Sequence, residues 1–307
     1  MSFLIFGGAN DNEVLSFSNY ALEYFKTRDT NIELILIENT YSPTLIWDYD
    51  KDLLIINNKI VNPSIVWIRR DAFQEKENLQ IRARRWDHIL KGWLMAHPNV
   101  KILNREWLNK FNNKVYQLDL AQKIGLKIPH TILTNSYSIL NHLNNTSNSI
   151  IKPIDNGYCE TLNNIIKVLD NNDNDAIRKN IIDDNVTSTP AFIQYRLETP
   201  EYRIYFIMGD FVCFKLISNN VDQRLDKNID IKYLKYYKKI NNINNVLEKL
   251  TKLFELLSLT YGAIDFKTDP TTKELVFLEV NDFPMFARFD MESHGQISNT
   301  ILQKLIS

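Results

Sequence analysis

Glycine and cysteine are both scarce in this chain, with 8 glycines and 2 cysteines in 307 residues. Cys159 and Cys213 cannot build a disulfide framework or a cysteine-based zinc cluster, and so low a count suits a reducing, cytoplasmic setting. Charge of one sign is lacking too: 36 Lys and Arg stand against 37 Asp and Glu. No polyelectrolyte signal therefore points to nucleic acid or to a membrane surface. No run approaches the roughly 18 apolar residues of a membrane span. The opening MSFLIFGGANDNE turns acidic too soon for a signal peptide and reads as a first strand and turn. No internal repeat is visible, and no histidine (88, 97, 130, 142 or 294) has a convincing nucleophile partner.

What is present is apolar pattern. With 44% hydrophobic residues, the chain can bury a core in two or more lobes. Strand signals over Ser2–Phe6 and Ile32–Ile37 flank a helical stretch, Asn12–Lys26, and a further short strand covers Ser64–Ile68. This alternation predicts a small α/β lobe with a parallel sheet. Leu53–Ile60 reads as a hairpin and about Lys76–His97 as a helix. From Asn104 a second unit begins: Glu106–Gly125 reads as a helix stopped by its glycine, and PHTILTN as a strand whose Thr134 or Asn135 caps the next helix. SIIKPID is a strand. YRIYFIMGDFVCFKLI alternates about a Gly-Asp turn, residues 244–258 form an amphipathic helix, and YGAIDFKTDPTTKELVFLEVN is a second hairpin. The class is α/β, with α+β character in the C-terminal half.

The last strand, ELVFLEVN, sets a chemical question. Glu279 and Asn281 sit two apart at the end of an apolar run, so they share a side of the strand. Asp265 lies on the preceding strand, and antiparallel pairing can bring all three together. Two carboxylates and an amide oxygen make a hard-oxygen site suited to Mg²⁺, which shares its shell with water and phosphates. Lys152 stands in an otherwise apolar strand, where a buried ammonium needs an anion such as phosphate. Lys114, ahead of an amphipathic segment, is a second phosphate candidate, with a solvated helix position as the alternative. Arg203, in EYRIYF, could bind a phosphoryl group or simply pair with Glu201 or Asp222. Gln194 to Leu197 join two units and offer an adenine ring a backbone hinge.

The ordered set IIKP, FIQYRL, EYRIYFIMGD, GAIDF and FLEVN resembles an ATP-grasp ligase. VWIRRD and NKVYQLDLAQKIGLKIPHTILTN extend the resemblance to RimK-like ligases of the microviridin or graspetide type, which mature ribosomal peptides by joining side chains. The resemblance covers nearly the whole chain. It implies an ATP-grasp fold with an N-terminal pre-ATP-grasp α/β lobe over 1–105, a central subdomain over 106–193 and a C-terminal subdomain over 194–307. It implies ATP and Mg²⁺ as cofactors and a peptide substrate with a leader segment; a homodimer is compatible with it. Transferred position by position, Lys114 and Lys152 hold phosphates, and Gln194, Tyr195 and Leu197 line the adenine hinge. Arg203 steadies the transferred phosphoryl group, with Lys152 as its catalytic companion. Asp265, Glu279 and Asn281 hold Mg²⁺.

Two stretches depart from that pattern. The loop KPIDNGYCETL has Gly157 alone where relatives are glycine-rich. After EVN the chain reads DFPMFARFD where relatives continue Pro-x-Gly-Gln-Trp, so the substrate pocket is expected to differ. Arg288 in that segment is a candidate for a substrate carboxylate, with an ion pair to Asp290 as the alternative. Arg69 and Arg70 end a strand of the first lobe, an edge where α/β sheets take ligands. Arg224 ends DQR, residues 222–224, which weakly resembles an Asp-Trp-Arg of the peptide ligases and makes Asp222 or Arg224 a candidate substrate contact, with a solvated loop as the alternative. The helical run Arg82, Arg84, Arg85, Trp86 could meet an acidic peptide or be a solvated face. A small amino acid or dipeptide ligase is the alternative enzyme, and a non-catalytic nucleotide- or leader-binding protein the alternative class.

Overall fold

The structure, a computed structural model, describes residues 2–7, 11–28, 33–38, 44–69, 80–109, 113–139, 149–154, 181–183, 186–218, 226, 228–237 and 243–307. In the first lobe, β1 (Ser2–Gly7) runs parallel to β2 (Glu33–Glu38) on one side and β6 (Ile65–Ile68) on the other, with β7 (Lys101–Ile102) beyond. β1 is continuously apolar because both its faces are covered. Phe3 and Ile5 pack with Phe17 and Ala21 of α1 (Asn12–Lys26), while Leu4 and Phe6 pack with Leu90 and Leu94 of α2 (Gln80–Ala96). Leu54 and Ile56 of a three-stranded meander, β3 (Leu45–Asp48), β4 (Leu53–Ile56) and β5 (Lys59–Ile60), join the second of these clusters.

A second sheet is built on β11 (Val186–Tyr195). It pairs antiparallel with β8 (Thr131–Ser136), β9 (Ser149–Pro153) and β10 (Ile181–Asp183). The third sheet is antiparallel in the order β14 (Asp230–Tyr233), β13 (Asp210–Ile217), β12 (Glu198–Ile207), β15 (Tyr261–Thr268) and β16 (Leu275–Asn281). One face of it, with Ile204, Phe206, Ile264, Phe266 and Phe277, packs on α3 (Lys114–Lys123) and α4 (Ile243–Leu257). At one end of the other face Tyr205, Phe214 and Ala263 join the core of the first lobe, through α5 (Ala287–Glu292) and α6 (Gln296–Ile306). Among the described residues no helix is long and apolar enough to cross a membrane.

Two expected elements come out differently. The helix expected over Glu106–Gly125 is a 3₁₀ turn, Arg105–Asn109, followed by α3, which starts only where the Asn113 side chain accepts from the backbone of Val115 and Tyr116. Thr134 and Asn135 do not cap a helix: β8 continues to Ser136, because Ala191 and Val186 of β11 pair with Thr134 and Ser136.

Asn104 ties the first lobe to the third sheet. It is buried in the left-handed region at φ 55°. Its Oδ1 accepts from the amides of Thr260 and Tyr261, and its Nδ2 donates to the carbonyls of Tyr261 and Asp282. Deleting the amide strands buried backbone groups, so Asn104→Ala is expected to lower the unfolding free energy by about 3 kcal/mol. A urea titration checks this, and an unchanged midpoint would show that these bonds carry little.

Candidate active site

The charged residues of the third sheet share one face because their register puts them there. Arg203 of β12 stands opposite Asp265 of β15, and Asp265 stands opposite Glu279 of β16. Asn281 lies opposite Ala263, two residues along from Asp265. Simple alternation from buried Phe277 would turn Glu279 into the apolar core. A register shift prevents this: Phe266 pairs with Phe277 and Asp265 with Glu279, leaving Leu278 as an extra residue. Such a bulge re-aims the next side chain, and here it delivers Glu279 to the polar face. Gly262 allows the close approach of the two strands, since a Cβ there would sit 2.8 Å from the Asn281 carbonyl oxygen.

β16 is the sheet edge, and α3 covers it. The Gln117 side chain donates to the Val280 carbonyl at 2.9 Å and accepts from its amide at 2.8 Å. It thus imitates a neighbouring strand at the residue between Glu279 and Asn281. The start of the same helix brings the Lys114 ammonium to 2.9 Å from the Glu279 carboxylate. Lys152 arrives from the second sheet, where it pairs with Phe192. Burial lowers its pKa, and the charges of Glu279, Lys267, Glu201 and Lys114 act on it. Lys114, Lys152, Arg203, Asp265 and Glu279 therefore meet, from three separate parts of the chain.

Arg203 does not pair with Glu201, and Asp222 lies outside the described residues. Its guanidinium makes two parallel hydrogen bonds of 2.8 Å to Asp265 and lies over the Phe289 ring at 5.1 Å. Burial opposes its charge, but Asp265 outweighs this and keeps the group ionised. Glu201 instead stands opposite Lys267, carboxylate to ammonium 3.7 Å, with both side chains nearly buried. Sequence reasoning passed over Lys267 and Glu201 as site residues. Period-two spacing from Asp265 and Arg203 was the signal that could have found them.

Burial and the nearby Asp265 charge push the Glu201 carboxyl from 4.5 up to about 7. The folded chain then holds a proton that the unfolded chain has released, so between about pH 4.5 and 7 stability falls as pH rises. A shift of that size corresponds to about 3 kcal/mol. Glu201→Gln is expected to remove this slope. Urea unfolding at pH 5 and pH 8 compares the two proteins, and equal losses in both would contradict the assignment.

The other expected site residues are distributed unevenly. Gln194 is buried, with its side-chain amide on Thr131 Oγ1, and Leu197, three residues on, is buried too. Tyr195 is exposed, and its amide donates to the His130 carbonyl. Arg69 is 7% exposed, and its donors are spent inside the protein on Asp11 and the Pro284 carbonyl. Arg288 is exposed and donates to the Ile229 carbonyl. The alternative pairing with Asp290 is not made: that carboxylate accepts from Ile297 and Ser298 at the start of α6. Arg70, Arg224 and the loop containing Gly157 lie outside the described residues, as do the side chains of Arg82, Arg84, Arg85 and Trp86.

Among the described residues no three His, Cys, Asp or Glu side chains form a metal cluster. The set here is smaller, two carboxylates and one amide. It fits Mg²⁺ better than zinc or a caged calcium, because Mg²⁺ takes few protein oxygens and fills its octahedron with water and phosphate. A carboxylate offers about four lone-pair sites, so Asp265 and Glu279 can each serve an ion while keeping Arg203 and Lys114.

No family model matches the chain, and no curated protein does. Solved structures do. The ATP-grasp ligase PsnB, in complex with a minimal precursor, has a TM-score of 0.72 at 17% identity, with 98% of each chain covered. The macrocyclase MdnC from Microcystis aeruginosa MRC, bound with its precursor peptide MdnA, has a TM-score of 0.71 at 17% identity, with each chain fully covered. The VanG D-Ala:D-Ser ligase from Enterococcus faecalis has a TM-score of 0.63 at 16% identity, over 99% of this chain and 98% of that one. Likeness at this identity defines the fold: the chain has the ATP-grasp fold, as its motifs led one to expect.

Proposed function

We propose that the chain is an ATP-dependent carboxylate ligase that modifies a ribosomal peptide, forming amide or ester bonds through an acyl phosphate. One observation carries the reading. Three cations and two carboxylates from distant segments converge on one sheet face of an ATP-grasp fold, Lys114 on Glu279, Arg203 on Asp265 and Lys152 beside them. Charges gathered this closely, with the Arg203–Asp265 pair largely buried, cost more than they return unless a ligand completes them. In this reading Lys114 and Lys152 hold phosphate oxygens, and Gln194, Tyr195 and Leu197 form the adenine hinge. Asp265, Glu279 and Asn281 hold Mg²⁺, which supplies charge neutralisation for the phosphates. A substrate carboxylate oxygen attacks the γ-phosphorus and ADP leaves. Arg203 steadies the charge on the transferred group. An amine or hydroxyl then attacks the acyl carbon, the carbon–oxygen bond to phosphate breaks, and phosphate departs with the nucleophile's proton lost to solvent.

The peptide preference leans on the neighbours, since PsnB was solved with a minimal precursor, Mg and ADP, and MdnC with its precursor peptide. The division into lobes at 1–105, 106–193 and 194–307 belongs to the same reading, as does a cytoplasmic setting. Arg288, exposed on α5 with its guanidinium on the Ile229 carbonyl, is the candidate for a substrate carboxylate, with Arg70 and Arg224 as further contacts. The likeness to VanG keeps a small amino acid or dipeptide ligase as the second reading.

ADP release with Mg²⁺-ATP and a panel of peptides and amino acids tests the proposal, with products weighed by mass spectrometry. Peptide-stimulated ADP release and a product lighter by one water support peptide ligation. A gain of one amino acid residue moves the assignment to the second reading. Nucleotide binding without turnover on any partner favours the non-catalytic class.

A further inference from the structure

The strand order β2-β1-β6-β7 reverses direction between β1 and β6. In open α/β sheets the crevice outside the strand ends at such a point is where ligands bind. Here the chain's own residues 284–287 reach that place. Arg69, just after β6, bonds Asp11 at 3.1 Å and the Pro284 carbonyl at 3.2 Å. Glu13 in α1 accepts from the Ala287 amide at 3.4 Å and lies 3.8 Å from the Arg69 guanidinium. The fully buried Phe286 ring stands edge-on to Phe17 of α1 and Trp67 of β6, at 6.4 and 6.1 Å between ring centroids. From the opposite side the Tyr205 hydroxyl donates to the Met285 carbonyl at 2.7 Å. This segment begins immediately after Asn281, whose Oδ1 accepts from the Phe283 amide at 3.0 Å. It ends in α5, which places Phe289 under Arg203.

We propose that residues 282–289 are a strap seated in the first lobe's switch-point crevice, and that Arg69, Glu13 and Tyr205 are positioning residues for Asn281 and Arg203. The inference rests on the nucleotide-and-metal reading above. It assigns Arg69 a task other than substrate binding, and it explains why a segment so unlike Pro-x-Gly-Gln-Trp can follow the metal-side strand. The strap is held by groups that touch neither nucleotide nor metal. Loosening it would misplace an Mg²⁺ oxygen at one end and the ring beneath a phosphate-binding guanidinium at the other.

The test is the Mg²⁺ concentration giving half-maximal ADP formation at saturating ATP, for wild type, Arg69→Met, Arg69→Lys and Tyr205→Phe. Arg69 supports Asn281 only through the strap, and its loss is expected to raise that concentration about 10-fold in Arg69→Met, the scale on which loss of a ligand's support weakens metal binding. Arg69→Lys should fall between it and wild type. Tyr205→Phe deletes one hydroxyl, which reaches the Met285 carbonyl on the strap and also acts on the Arg203 guanidinium, and carries the test alone if Arg69→Met does not fold; a rise of about 3-fold or more is expected of it. A lower melting temperature with an unchanged Mg²⁺ requirement would overturn the strap proposal and leave the ligase reading standing. Wild type without Mg²⁺-dependent ADP formation would overturn both.

Discussion

Glu279→Ala is expected to cut peptide-stimulated ADP formation by about 10³-fold while leaving the fold nearly as stable as before. Charged groups aimed at a phosphoryl transfer contribute on that scale when deleted singly. The Glu279 carboxylate faces Mg²⁺ in the proposed reading, the Lys114 ammonium 2.9 Å away and the charge of Lys152. Its side chain is 37% exposed and that of Lys114 31%. An ion pair so accessible to water contributes about 0–1 kcal/mol to stability. Turnover and stability should therefore separate in this variant. Parallel measurement of ADP release and urea unfolding checks it. A variant that unfolds early and loses activity in proportion would mean that Glu279 is a structural group.

Arg203→Met is expected to lose both. The guanidinium and the Asp265 carboxylate are 14% and 7% exposed. Removing one partner leaves a charge buried without compensation, at a cost of about 3–5 kcal/mol. Arg203→Lys separates the effects. It keeps a positive charge for Asp265 but loses the planar fork that makes two parallel bonds. Stability should recover much of the loss, while turnover stays down by about 10²-fold or more. If Arg203→Lys were fully active, the second bond and the fork would have no part in the chemistry.

Much of this site was legible in the sequence because period two is a property of strands. Lys152, Arg203, Asp265, Glu279 and Asn281 each stand out against an apolar or alternating background. Two features were hidden for physical reasons. The bulge at Leu278 is a register choice between two strands, and nothing in ELVFLEVN alone distinguishes it from regular pairing. The partner of Arg203 is likewise a register fact: Glu201 is nearer in sequence, but Asp265 stands opposite across the ladder. Gln117 reads as an ordinary helix residue, and only the exposed edge of β16 gives it a role. In the first lobe the strand–helix alternation was plain. The seating of DFPMFARFD against that lobe was not, because it depends on contacts between residues over 200 positions apart, such as Arg69 with Pro284.

An acyl phosphate leaves an isotopic record in the phosphate it releases. The peptide that the ADP assay selects would carry ¹⁸O in its acceptor carboxylate, and the phosphate released with Mg²⁺-ATP would be weighed. One ¹⁸O is expected in each phosphate from a labelled carboxylate, because the oxygen that attacks the γ-phosphorus leaves with it. Unlabelled phosphate, formed alongside ligated product, would contradict an acyl phosphate.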